Sequence, residues 1–320
     1  MKKLITLIFI VLISKASYSQ VCCGGGVYDI AVLSLNKRAL FNVGYKFDNN
    51  LGVWDSDKEW RKISQTSYQM TPAFSGAYRF NKQLQAGILV PFVINKNELP
   101  GLPSNGSGIG DVVLSGRYEI FHEYSLYKEK GKMKTDHKTP YFAVTFGMTF
   151  PTGKSDEEAE SEVGISGKGY YTTSLGLSFI KTILKDKIQI GSDVNWQHSF
   201  IKTYEKYYGN TVPPYERKQG ERFNYSVTAN YLINFYNSVA LSLGGFYQSN
   251  YSINGTGIDN TDENSYSMVA SYTYYPKTYI RISPLIKWNI PSKGWGKNAT
   301  GSILYGLNLV YYIENLDFLD

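Results

Sequence analysis

The chain has 320 residues and a net charge of +6, with 15% aromatic residues that include 28 tyrosines against 5 tryptophans. The charge falls to +3 (6 − 3) if Lys2, Lys3 and Lys15 leave with an export signal, too little to argue for nucleic-acid or polyanion binding. Apart from the N-terminal residues, no stretch holds the roughly eighteen continuous apolar residues of a membrane-spanning helix.

Residues 1–19 join a positive start at Lys2 and Lys3 to an apolar run at 4–13 and small residues at Ser17 and Ser19. This is the layout of a secretory signal cleaved after Ser19 and too short to span a bilayer. An exported chain with no spanning helix can stay in a membrane only as a closed β-barrel, which implies the outer membrane of a Gram-negative-type bacterium. Residues 20–36 read as a periplasmic tail and 37–320 as the barrel. In the tail, Cys22 and Cys23 precede three glycines. Ser19, Gln20 and Val21 do not supply the residues that a lipidation signal needs there. The two thiols are a weak candidate for a soft metal ion, an intermolecular disulfide is another reading, and no specific role is a third.

From Lys37 onward an apolar or aromatic residue recurs at every second position, in runs too long for ordinary soluble strands. In 66–80, Tyr68, Met70, Pro72, Phe74, Gly76, Tyr78 and Phe80 share one face, and Ser67, Gln69, Thr71 and Arg79 share the other. The alternation predicts twelve strands, with ten or fourteen as alternatives, near 37–47, 66–80, 84–94, 109–121, 140–150, 169–181, 188–200, 222–235, 239–251, 265–275, 279–290 and 300–313. The fold class is therefore all-β, an antiparallel up-and-down transmembrane barrel. The connections alternate between long and short, as outer loops and periplasmic turns do. The exception is 122–139, a long, Lys-rich connection on the short-turn side, which is either a periplasmic loop or a hairpin missed in the strand count.

Outward faces are assigned to Phe41, Val43, Tyr45 and Phe47; to Ile88, Val90, Phe92 and Ile94; to the even positions of 142–150; and to Phe223, Tyr225, Val227, Tyr231, Ile233 and Phe235. On this register an arginine at Ile88 or Val90 should impair assembly and one at Gln85 should be tolerated. The lumen-facing candidates are Arg79, Arg117, Glu119, Gln189, Asp193, Asn195, Gln197, Asn224, Asn230, Asn234, Arg281, Lys287 and Asn308, with Arg38, Lys46 and Gln69 on the same alternation. Such a lumen either admits water or is tied shut by ion pairs.

Four segments carry a family resemblance: QAGILVPFVI (85–94), SGIGDVVLSGRY (107–118), FPTGKSD (150–156) and GYYTTSLGLSFIK (169–181). They resemble the outer-membrane barrel family associated with the meta-pathway of phenol degradation, whose members are often labelled transporters. The likeness covers residues 66–200 well and the remainder as a generic barrel. It implies a barrel and a transport role, with apolar or aromatic solutes by analogy.

The remaining features read as structural. Gly108 and Gly110 suit a loop-to-strand turn, Asp111 can accept from backbone amides at the rim, and Pro151 and Gly153 end a strand. The acidic runs Asp156, Glu157, Glu158, Glu160, Glu162 and Asp259, Asp262, Glu263 lack a calcium-loop spacing and read as solvated loops. His198 falls on the outward face with Trp196 and Phe200, and no nucleophile and base assemble, so the chain reads as a non-enzyme. The last strand has the apolar order used by the barrel-assembly machinery but is followed by ENLDFLD instead of ending in an aromatic.

Taken together, the sequence predicts a pore or transporter for passive passage of small molecules. Its partners would be outer-membrane lipid and lipopolysaccharide, a small-molecule solute and, during biogenesis, the assembly machinery; no nucleic acid and no cofactor are implied. The alternative is a closed structural or surface-interaction barrel, since small barrels can be filled by side chains.

Overall fold

The computed structural model describes residues 33, 37–64, 67–98, 104–121, 126–129, 132–135, 140–183, 187–234 and 236–314. The proposed signal and the Cys22–Cys23 pair lie outside them. Twelve long strands follow one another: β1 (Lys37–Trp54), β2 (Ser67–Arg79), β3 (Leu84–Asn97), β4 (Val112–Phe121), β5 (Tyr141–Phe150), β6 (Thr172–Ile183), β7 (Ile188–Ser199), β8 (Arg222–Asn234), β9 (Asn237–Gln248), β10 (Glu263–Lys277), β11 (Ile280–Trp288) and β12 (Ala299–Glu314). Each pairs antiparallel with its neighbours in sequence, and β12 returns to β1 through Val43↔Leu309 and Phe47↔Tyr305. The sheet closes with no free edge, so the ladder satisfies the strands' backbone groups without water, as a bilayer requires.

The twofold alternation becomes a greasy outer wall. Phe41 is 61% exposed, Phe74 64% and Val227 57%. Outward neighbours meet across strands, as in Val43↔Phe74 and Phe41↔Gly76. Aliphatic side chains such as Val43, Ile88, Leu114, Leu177, Val194 and Leu307 occupy the middle of this wall, and exposed aromatics crowd both ends. Phe80, Tyr118, Tyr236, Tyr272 and Tyr279 stand at the short-turn end, with Trp196, Phe223, Tyr247, Tyr266 and Trp288 at the long-loop end. These are the girdles that amphipathic rings form at the two headgroup levels.

The departures from the alternation have local causes. β1 continues to Trp54 instead of ending near 47, because its last residues pair with the start of β12 and with a short strand at Trp60–Lys62. Trp54 is 1% exposed and packs on Trp60 at 4.6 Å between ring centroids, so this end of the hairpin has a small core of its own. Arg38 is a correction: the register slips between Lys37 and Ala39, and the bulge turns Arg38 outward. Its Nε donates to the hydroxyl of the outward-facing Tyr78 at 3.0 Å. In the 122–139 connection, Leu126–Glu129 and Lys132–Thr135 pair with each other as a separate hairpin and add no strand to the barrel.

At the long-loop end, Lys202–Tyr207 and Asn210–Lys218 form a hairpin that joins Ser252–Ile253 and Thr256–Gly257 in a four-stranded sheet. Its tight turns, Tyr208-Gly209 and Asn254-Gly255, place both central residues at positive φ, the primed geometry that matches strand twist.

Candidate functional site

The loop joining β5 to β6, residues 151–171, folds into the barrel mouth and packs on the inner face of β3. Asn95 of β3, held by a 2.8 Å bond from Gln69, donates its amide to the carbonyls of Val163 (3.0 Å) and Ile165 (2.6 Å). Ser166 Oγ donates to Ile109 O at 2.7 Å, and Thr152 Oγ1 donates to Gly110 O at 2.8 Å. The Asp111 carboxylate accepts the backbone N–H groups of Gly153 (3.1 Å) and Lys168 (2.7 Å). Burial pushes the Asp111 carboxyl above the usual range, and these two amides oppose that shift.

Gly108, Gly110 and Gly153, which suggested turns, and Gly106 beside them let the loop and the wall come close. A Cβ on Gly106 would lie 2.1 Å from Val163 O, and one on Gly153 would lie 2.7 Å from the Gly167 Cα. Neither residue has a positive φ, so glycine is required by the close approach of the loop to the wall.

Below this loop lies a cavity of about 870 Å³. Leu89, Pro91 and Val93 of β3, Val113 of β4 and Ile165 of the loop give one side an apolar strip. Asp193, Asn195 and Gln197 of β7 with Arg222 and Asn224 of β8 give the facing side a polar wall. β3 and β8 are five places apart in the ring of twelve, so the two sides oppose each other across the lumen. At mid-height Arg117 donates to Tyr141 Oη (2.9 Å) and Ser178 Oγ (2.8 Å), and Ser178 passes its own proton to Asp193 Oδ1 at 2.5 Å.

Towards the short-turn end the interior is filled. Arg79 and Glu119, each with a side chain 1% exposed, form a two-pronged pair with both N···O distances at 2.9 Å. Gln85 donates to Glu119 at 2.5 Å and accepts from the backbone N–H of Leu33 at 2.9 Å, while Arg79 also donates to Leu33 O. Leu33, ahead of the first strand, is 1% exposed against Leu40, Ala77, Val310 and Tyr312. Gln85 therefore points inward but is packed and bonded, which argues against the expectation that an arginine is tolerated there.

The other sequence candidates fall into three groups. Gln189 and Asn230 are buried and bonded to each other at 3.2 Å, with Thr182 beside them. Arg281, Lys287 and Asn308 belong to the wall formed by β11 and β12: Arg281 stands 5.7 Å from the Tyr312 ring, Asp48 lies within electrostatic reach of Lys287, and Asn308 Oδ1 accepts from Asn42 at 3.5 Å. Asn234 caps the β8–β9 turn by accepting from Tyr236 N and Asn237 Nδ2.

Alternation within strands could not reveal the cavity-lining groups of the loop, namely Ile165, Ser166 and Lys168. The available signal was the small-residue run GISGKG (164–169), whose small residues match the glycines at 106–110. The acidic loop residues are engaged, with Glu157 2.8 Å from Lys202 and Asp156 3.8 Å from Arg217. Among the described residues, no three His, Cys, Asp or Glu side chains converge as metal ligands. His198 Nδ1 lies 2.7 Å from Glu221 Oε1, with its ring edge-on to Phe200 at 5.4 Å.

Among solved structures, an outer membrane channel from Pseudomonas putida F1 superposes with a TM-score of 0.70 at 13% identity, covering 92% of this chain and 100% of that one. The β domain of the Bordetella autotransporter BrkA gives 0.46 at 10% identity, covering 86% and 100%; the KdgM porin gives 0.41 at 8%, covering 85% and 99%. The first of these shows the barrel fold, and the other two are too distant to carry argument. No curated protein matches the sequence. The sequence signature of one family spans residues 64–303, which includes the inward-folded loop and the walls it packs on, and the chain belongs to that family, described as "Putative MetA-pathway of phenol degradation".

Proposed function

We propose that the protein is a passive outer-membrane channel for small molecules, apolar and aromatic ones among them, which reaches the membrane by way of a cleaved signal at 1–19. The observation that carries this reading is the lumen cavity of about 870 Å³, bounded by an apolar strip on one side and a polar wall on the other. A barrel built only as a scaffold gains nothing from an unfilled interior at this height, since dispersion contacts are lost there. Family membership and the channel-like neighbour support the reading at the level of a barrel channel.

Planar-bilayer recordings on the purified barrel, with liposome swelling in small sugars and phenol, test it. Step-like conductance and solute entry are expected. An inserted barrel that neither conducts nor admits solutes refutes passive passage. The second reading, a closed barrel, is favoured by one observation: the Arg79–Glu119–Gln85 cluster and Leu33 fill the interior at the short-turn end. The same recordings decide between the two.

A further inference from the structure

The charged groups that line the cavity are unevenly satisfied by direct contacts, which the channel reading alone does not explain. Five charged side chains line it: Asp111, Arg117, Lys168, Asp193 and Arg222. Both carboxylates are supplied with donors, Asp111 by two backbone amides and Asp193 by Ser178. Lys168 and Arg222 differ from them. Among the described residues the Lys168 ammonium makes no hydrogen bond or ion pair, and it stands open to the lumen within the barrel wall. Arg222 lies 3.6 Å from the Phe246 ring centroid, and among the described residues its side chain donates to the neutral side chains of Asn224 (3.1 Å) and Gln248 (3.5 Å). Glu263 acts through space on both Lys168 and Arg222, and Asp111 on Lys168, none of them in contact.

A second observation points to the same place. Thr172, four residues beyond Lys168 at the start of β6, is 7% exposed, lines the cavity, and has a hydroxyl that no group bonds. Buried hydroxyls are normally satisfied, and one without a partner among the described residues, lining the same cavity as two cations that touch no carboxylate, suits a ligand oxygen. Asn224 and Gln197 place further neutral amides on the same wall. Across the lumen, Leu89, Pro91, Val113 and Ile165 offer apolar surface.

We propose that Lys168, Arg222 and Thr172 form a recognition site for the carboxylate of a small amphipathic anion, such as an aromatic or short aliphatic acid, whose hydrocarbon body lies on the strip of Leu89, Pro91, Val113 and Ile165. This deepens the channel reading by naming the class of solute that the lumen selects. A carboxylate fits better than a larger polyanion because only two cations are available and the facing wall is apolar. Neutral phenols would share the apolar strip but leave both cations unpaired, so they should bind more weakly. Enclosure in the barrel and the nearby Arg222 charge both push the Lys168 ammonium below its ordinary value, which an incoming anion would reverse.

The test uses the full barrel in detergent and in bilayers, with sodium benzoate as probe and benzyl alcohol as its neutral counterpart. Equilibrium binding by saturation-transfer NMR or calorimetry does not require an open pore, so it reads the site even if the barrel fails to conduct. Benzoate is expected to bind about tenfold or more tighter than benzyl alcohol at low salt, the scale of a charge-assisted contact. K168Q should remove most of that preference, with benzyl alcohol affinity unchanged. R222Q should do the same and R222K should restore part of it, which separates charge from the stacking of Arg222 on Phe246. K187Q, at the short-turn end, is the control and should alter nothing. In bilayers the zero-current potential under a KCl gradient should favour chloride in the wild type and shift towards potassium in K168Q. Equal affinities for benzoate and benzyl alcohol, or a preference that survives in K168Q and R222Q, overturn the site while leaving the channel reading intact. Absence of conductance with benzoate preference retained would overturn the channel and keep the site.

Discussion

Replacing Glu119 with alanine tests how the short-turn end is held. The carboxylate meets both Arg79 nitrogens at 2.9 Å, with Gln85 and Tyr141 as further donors, and each side chain of the ion pair is 1% exposed. Its removal strands the guanidinium in the interior with only the carbonyls of Lys82 and Leu33 as acceptors. Breaking a buried pair from one side costs about 3–5 kcal/mol, most of it the uncompensated charge, so E119A should be destabilised by that amount. The double variant R79M/E119A removes both charges and should be less destabilised than E119A alone, giving with R79M a coupling of several kcal/mol in a double-mutant cycle. Urea titration of the barrel refolded in lipid vesicles, followed by tryptophan fluorescence and extrapolated linearly, supplies the numbers. If E119A lies within about 1 kcal/mol of the wild type, or if the double variant equals the sum of the singles, the cluster is not a coupled buried pair and the reasoning fails.

Four further outcomes follow from the same geometry. Ile88, 43% exposed on the lipid face midway along β3, should tolerate arginine poorly, at a cost of about 2–4 kcal/mol in the same titration. Gln85→Arg places a cation beside Arg79, so it should also destabilise; a neutral result there would contradict the packed cluster. Gly106→Ala sets a methyl against Val163 O, so the 151–171 loop must leave the inner wall; single-channel conductance should rise, and an unchanged value would mean that this loop does not narrow the lumen. The contact between this loop and the hairpin at 202–218 should weaken in acid. Burial pushes the Glu157 carboxyl up, but the Lys202 ammonium and the Glu205 amide outweigh it and hold the group below its ordinary value. A carboxylate depressed in the folded state stabilises above its unfolded value and loses that stabilisation as pH falls through the folded one. Amide exchange at Glu205 and Tyr208, corrected for intrinsic rates, should therefore accelerate below about pH 4, and a flat profile would refute the link.

Much of the barrel was legible in the sequence because a bilayer leaves few choices. The period of two in 66–80 or 85–94 can serve lipid on one face only if every second residue is apolar, and a one-residue slip would invert both faces. Strand ends were less legible. Residues 48–54 lose the alternation as the chain leaves the membrane, yet the ladder to β12 continues, since hydrogen bonding does not depend on a greasy face. The bulge at Arg38 has no signature in the residues around it. Leu33 was out of reach for a different reason: its environment is built by Arg79, Gln85, Ala77, Val310 and Tyr312, which come from other parts of the chain.

The lumen divides along the same line. Asp193, Asn195, Gln197 and Asn224 could be placed inside by parity alone, because a strand fixes the direction of its side chains. Lys168 could not, because a loop has no parity, and its position depends on Asn95, Asp111 and the glycines at 106–110, which together draw the loop inward. The wall residues most visible in the sequence thus set a generic polar surface, whereas the proposed carboxylate site rests on a loop lysine and a wall arginine that only the folded chain brings to one cavity. The same division limits how far function can be carried between barrels of this family. A relative that keeps the strand pattern but changes the residue at 168, or loses the glycines that admit its loop, would share the barrel without sharing the preference for a carboxylate.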